Sequence, residues 1–160
     1  MKTKKIALTA LFITLSMILS YFENMLPPLV SIPGIKLGFA NIVIIYVLYK
    51  FSAKQALKVS LIRVLLMGLL FGSFMSTVFS FVGALTSISG MVLLKKTGKF
   101  SHIGISVSGG ILHNIGQIVT AIFIVETAQI IYYLPALLIS GTLAGIITGF
   151  IAILLINRTK

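Results

Sequence analysis

The stretch IGISVSGGILHNIGQIVTAIFIV, residues 103–125, decides the fold. At about 1.5 Å of rise per residue it is long enough, as helix, to cross a hydrocarbon core of ~30 Å, and it holds no lysine, arginine, aspartate or glutamate. Such a run predicts a membrane helix. The histidine, asparagine and glutamine inside it then report what that helix faces. Comparable apolar runs lie on both sides, and together they predict six spans at about 6–22, 37–49, 55–71, 74–94, 103–125 and 131–156. The second is short, and either begins nearer Ile35 or is tilted and partly covered. The expected fold class is an all-α integral membrane bundle of six transmembrane helices, one domain over residues 1–160.

Composition points the same way. Hydrophobic residues make up 58% of the 160 and charged residues 9%, against about 25% charged in an ordinary soluble domain. The mean hydropathy is +1.15, and no soluble domain fits in what the spans leave. The net charge of +11 does not make a nucleic-acid binder, because the lysines sit in short clusters between apolar runs instead of on one face of a folded domain. With no cysteine there is neither a disulfide nor a thiolate metal site. Lys2, Lys4 and Lys5 ahead of an apolar run resemble a signal peptide, but no small-residue cleavage site ends that run, so it is read as a retained first helix.

Charge orients the bundle. Lysine and arginine accumulate in short cytoplasmic loops, and here every alternate boundary is basic: Lys2, Lys4 and Lys5; Lys50, Lys54 and Lys58; Lys95, Lys96 and Lys99; Arg158 and Lys160. The remaining boundaries hold Lys36 as their only base, with Glu23 and Glu126, the only two acids in the chain. Both termini are therefore expected in the cytoplasm. The first outward loop, Glu23 to Lys36, contains Pro27, Pro28, Pro33 and Gly34, which disfavour helix and set fixed turns. It is either a shaped cap or a passive connector.

Small residues mark how spans pack. Ser76, Ser80, Gly83, Ser87 and Gly90 form one seam of span four, and Gly141, Gly145 and Gly149 another in span six; in lipid such seams ordinarily mean helix contact. Span five differs. At about 100° per residue, His113 and Gln117 share a stripe with Ser106, Gly110 and Thr120, with Asn114 on its shoulder. An imidazole and two amides supply both donors and acceptors, the equipment for holding a polar ligand. Arg63 lies mid-span three, about 12 Å from either end, too deep for easy escape to the interface. It must face the bundle interior, water or a counter-charge, and neither acid is an obvious partner. A bound anion would serve. The competing reading is that Asn41, Arg63, His113, Asn114 and Gln117 bond one another and backbone carbonyls to lock the bundle. A metal at His113 is not expected, because His102 lies about 16 Å away along the helix.

Some chemistry is excluded. Prenyl and phosphoryl transfer require Mg²⁺ held by carboxylates, and two isolated acids cannot build that cage. There is no G-x-x-x-x-G-K-[ST] phosphate loop: Gly98 and Lys99 have Leu93 upstream where glycine is needed, and Phe100 follows. No cofactor is implied.

IPGIKLGFANIVIIYVL (32–48), Arg63 followed by LLMGLLFG (65–72), and SVSGGILHNIGQ (106–117), in this order, resemble the bacterial family labelled both Gx transporter and heptaprenyl diphosphate synthase component I. That family is similar to the substrate-binding subunits of energy-coupling factor (ECF) transporters, which are small, six-helix and free of ATPase activity. The resemblance implies a pocket near the outer face, closed by loops that include the one after the first helix, and residence in the bacterial cytoplasmic membrane. It implies as partners a transmembrane coupling protein and a pair of ATP-binding-cassette (ABC) ATPases. It also implies a small-residue surface on the first helix for the coupling protein; here Ala7, Ala10 and Thr14 stand in for alanines spaced four apart. As a synthase component the chain would be non-catalytic.

The expected function is capture of a small polar or anionic molecule from outside, held by Asn41, Arg63, His113, Asn114 and Gln117, with Glu23 and Lys36 contributing from the lid. The rival readings are a membrane scaffold for a soluble prenyl synthase, which would co-purify with that synthase alone, and a stand-alone carrier driven by a proton gradient.

Overall fold

The computed structural model of the chain describes residues 2–26 and 36–159. These residues are all-helical: α1 (Lys2–Met25), α2 (Phe39–Lys50), α3 (Ala53–Phe71), α4 (Phe74–Thr97), α5 (His102–Val125) and α6 (Leu134–Arg158), with a 3-10 turn at Ala128–Tyr133 ahead of α6. Among the described residues four helices are long and apolar enough to cross a membrane, namely α1, α4, α5 and α6 with its preceding turn; α2 is a shorter apolar helix. The third helix has 19 residues but carries Lys54, Lys58 and Arg63, and it is not one of the four. Pro27, Pro28, Pro33 and Gly34, the residues that point to a cap, lie outside the described residues.

Local chemistry sets the boundaries. Ser52, Ser73 and Ser101 sit extended just before α3, α4 and α5, and each hydroxyl accepts the backbone N–H three residues on, from Gln55, Ser76 and Gly104 at 3.2, 3.2 and 3.1 Å. Such caps satisfy one of the orphan donors of a helix start. Gly98, at φ 67°, ends α4 in the left-handed conformation that glycine adopts freely. The sixth helix begins at Leu134, three residues later than the expected 131, because Pro135 fits only the first turn and leaves Ile131 to Tyr133 in the 3-10 turn.

The second helix is apolar on every side. Ala40, the run Ile42 to Ile45, Val47 and Leu48 are all buried, and it packs on α1, α3 and α6. A helix apolar nearly all round belongs inside a bundle, so this short helix is the covered one. Its N-terminus has no side-chain cap of its own. Glu23, from the end of α1, provides one: the carboxylate accepts the N–H groups of Gly38 and Phe39 at 2.6 and 3.2 Å. Glu23→Ala should therefore destabilise the fold by about 2 kcal/mol, since hydrogen bonds to a charged group are worth ~1.5–3 kcal/mol. Glu23→Gln, which keeps one acceptor oxygen, should recover about half. Thermal unfolding of the detergent-solubilised protein measures both.

Helices α4, α5 and α6 form the tightest layer. A Cβ added at Gly141 would lie 2.9 Å from the Gly110 carbonyl oxygen, and one at Gly149 would lie 2.8 Å from Ser106 Cβ. The α6 glycine seam is thus pressed on α5. At the opposite end of α2, Lys50 Nζ donates to the Thr159 carbonyl at 3.1 Å, while Lys95 Nζ donates to the Leu48 carbonyl and stands 4.4 Å from the Tyr49 ring centroid. The basic clusters at the ends of α2, α4 and α6 therefore gather at one end of the bundle.

Candidate functional site

A cavity of about 480 Å³ opens among all six helices. Its rim is made by Glu23 and Asn24 at the end of α1, Lys36 and Gly38 before α2, and Gly72 and Ser76 at the turn from α3 to α4. These positions lie at the end of the bundle opposite the basic clusters. At the rim, Lys36 is exposed and its Nζ donates to Asn24 Oδ1 at 3.3 Å. The cavity then descends past Arg63 to a floor of small residues on α5 and α6 with Met91 beside them.

Arg63 comes from the face of α3 that also supplies Ser60, Val64 and Met67 to the lining. One Nη1–H donates to Ser20 Oγ on α1 at 2.9 Å. The Nε–H has no acceptor, and it is the only buried side-chain nitrogen or oxygen among the described residues left without one. Buried polar groups are almost always paired, because an unmade bond costs about 1–3 kcal/mol and more for a charged group. Arg63 thus holds donor capacity that no described protein group uses.

Helix α5 delivers His113 and Asn114 to the same space. The imidazole reaches toward α4, where a Cβ at Gly83 would fall 3.0 Å from His113 Cε1; only glycine leaves the ring that place. Asn114 is buried, and its Nδ2 donates to the Leu137 carbonyl on α6. Its Oδ1 has no partner among the described residues, and since it is not an enclosed orphan either, it opens on the cavity. Asn41 lines the wall from the first turn of α2.

Four of the five expected ligand-contacting residues, Asn41, Arg63, His113 and Asn114, therefore line one hollow. Gln117 is not in its lining: its Cγ would lie 2.9 Å from a Cβ at Gly83, at the contact between α4 and α5. No hydrogen bond joins any two of the five side chains; Arg63 bonds Ser20 and Asn114 bonds a carbonyl. Glu23 and Lys36, expected at a lid, are both at the rim, with Glu23 occupied in capping α2. Ala7, Ala10 and Thr14 lie on the outer surface of α1 beside exposed Leu11 and Leu15, away from the cavity.

Sequence reasoning missed a set of serines. The seam on α4 is two surfaces: Gly83 and Gly90 take α5 side chains, whereas Ser76, Ser80 and Ser87 line the cavity. This corrects the reading of that seam as helix contact alone. Ser60 and Ser87 are buried residues with no side-chain hydrogen bond among the described residues, yet neither hydroxyl is an enclosed orphan, so both face the hollow. The signal was present in the spacing, since Ser60 stands one turn from Arg63. Among the described residues no three His, Cys, Asp or Glu side chains come together as a metal site would require.

A family model described as heptaprenyl diphosphate synthase component I matches residues 12–155. No curated protein and no solved structure matches the chain.

Proposed function

The chain belongs to the heptaprenyl diphosphate synthase component I family, and on that premise we propose that it is a non-catalytic membrane subunit that captures a small polar or anionic molecule for an ECF-type, ATP-driven uptake transporter. In this reading all six helices cross the bacterial cytoplasmic membrane, α2 and α3 sheltered by the others. Both termini and the basic clusters face the cytoplasm, as the accumulation of lysine and arginine in inner loops requires. The cavity rim then faces outward, and Glu23 and Lys36 flank its entrance.

One observation carries the proposal: Asn41, Arg63, His113 and Asn114 line the hollow without a hydrogen bond between any two of their side chains. A locking network would pair them. Instead Arg63 keeps a buried donor unmet, and Asn41, Ser60 and Ser87 make no side-chain hydrogen bond among the described residues. Placing a guanidinium at membrane depth costs a few kcal/mol or more, and a bound anion offsets that cost. The volume falls within the ~300–1,000 Å³ of small-molecule sites.

Capture alone performs no cycle, because a ligand only favours the state that binds it better. A coupling protein and ABC ATPases supply the work, and the exposed face of α1 bearing Ala7, Ala10 and Thr14 is where the coupling protein would lie. The family description favours a second reading, a non-catalytic membrane anchor for a soluble prenyl synthase. Gentle purification from native membranes separates the two. We expect ABC ATPases and a membrane coupling protein to accompany the chain; a soluble synthase recovered without them would establish the anchor.

A further inference from the structure

The arrangement of charge and hydroxyls within the cavity narrows the class of molecule it takes; this step rests on reading the cavity as a ligand site. Among its lining residues the charged groups are Glu23, Lys36 and Arg63. The Glu23 carboxylate is engaged by two backbone N–H groups, and Lys36 is exposed at the rim. Arg63 alone carries charge into the interior. Its guanidinium is fixed at the level of Ser20, five residues or about 8 Å in from the end of α1.

Further in, the lining changes character. Ser80, Ala84, Ser87 and Met91 follow one another down α4 at steps of four, three and four, and Ser87 lies thirteen residues, about 20 Å, from the start of that helix. No lysine, arginine, aspartate or glutamate lines this inner part. Its walls present the hydroxyls of Ser60 and Ser87 and the Asn114 Oδ1, unpartnered among the described residues, which a hydrocarbon chain would strand.

We propose that the ligand bears one oxoanionic group, carboxylate or phosphate, held at Arg63, and an uncharged, hydrogen-bonding body that lies inward of it along α4. The molecule enters body first, and its charge stops at the guanidinium. A guanidinium can donate in parallel to two oxygens of such an anion, and the anion answers the net positive charge of the interior. Cations are repelled, neutral polyols leave Arg63 unpaired, and fatty or prenyl acids leave the serines unpaired.

Three probes separate these terms by isothermal titration calorimetry of the full-length, detergent-solubilised protein. Gluconate has a carboxylate and a linear hydroxylated body, sorbitol has that body without the charge, and hexanoate has the charge on an apolar body. Gluconate is expected to bind at least tenfold more tightly than either of the others. Arg63→Gln should bring gluconate down to the sorbitol level, and Ser87→Ala should weaken gluconate about fivefold while leaving hexanoate unchanged, the loss of one hydrogen bond. Ser87→Ala keeps the charge in place and so decides the matter even if Arg63→Gln does not accumulate. Equal or tighter binding of sorbitol or hexanoate, or no binding of gluconate, overturns the ligand class. Capture itself is judged separately, by whether any molecule is retained through purification.

Discussion

Arg63→Ala is expected to weaken ligand binding about 30-fold or more while leaving the empty protein no less stable. The two effects have one origin. Truncating one partner of a buried charge pair costs roughly 2–5 kcal/mol of binding, and in the proposed complex the guanidinium is the cationic partner. In the empty protein the same side chain is a liability, since its Nε–H is buried and unmet and its one protein bond goes to Ser20 Oγ at 2.9 Å. Removing it deletes an unsatisfied donor and a buried charge. Sites that bind are often kept at such a cost to stability. The check is thermal unfolding of wild type and variant, first stripped of ligand and then with the co-purified extract restored. Ligand should raise the midpoint of the wild type only, because stabilisation by binding follows concentration over Kd. A bundle merely locked by its polar residues would behave oppositely: the stripped variant would melt earlier, and the extract would change nothing.

Gly145→Ala should cost the fold about 2 kcal/mol. A Cβ there would fall 2.5 Å from Val107 Cα, 2.9 Å from Val107 N and 3.0 Å from the Ser106 oxygen. All three are backbone atoms of α5, so no side chain can swing aside and the helices must part. Overpacking of this kind costs about 1–3 kcal/mol, occasionally more, and the ~1 kcal/mol by which alanine is the better helix former offsets only part of it. Parting α5 from α6 would also shift the wall that carries His113 and Asn114. The matched control is Gly104→Ala near the start of α5, where the nearest atom is Ser101 Oγ at 3.4 Å. That variant should be neutral or slightly stabilised. Denaturation of both in detergent tests the pair.

The apolar runs made the helices legible, because a segment long enough to span hydrocarbon declares itself by composition alone. What each polar face looked out on was less legible. Periodicity places His113 and Gln117 on one stripe of α5, yet His113 lines the hollow while Gln117 packs at the α4 contact around Gly83. A stripe fixes direction about its own axis and says nothing of which neighbour stands there. The α4 seam shows the same limit: Gly83 and Ser87 look alike as small residues, but one is covered by a helix and the other borders space. Glu23 was visible as one of two acids, whereas its bond to Gly38, fifteen residues on, depends on a chain reversal that no local pattern encodes. The covered position of α2 was foreshadowed by its being apolar all round and too short to span unaided.

The proposed function requires that buried polar groups from separate helices enclose a guest. Native mass spectrometry of the gently purified chain, alongside Arg63→Ala and His113→Ala, asks this directly. A small-molecule adduct on the wild type that is lost from both variants is the predicted result; an adduct retained equally by all three, or none on any of them, would contradict it.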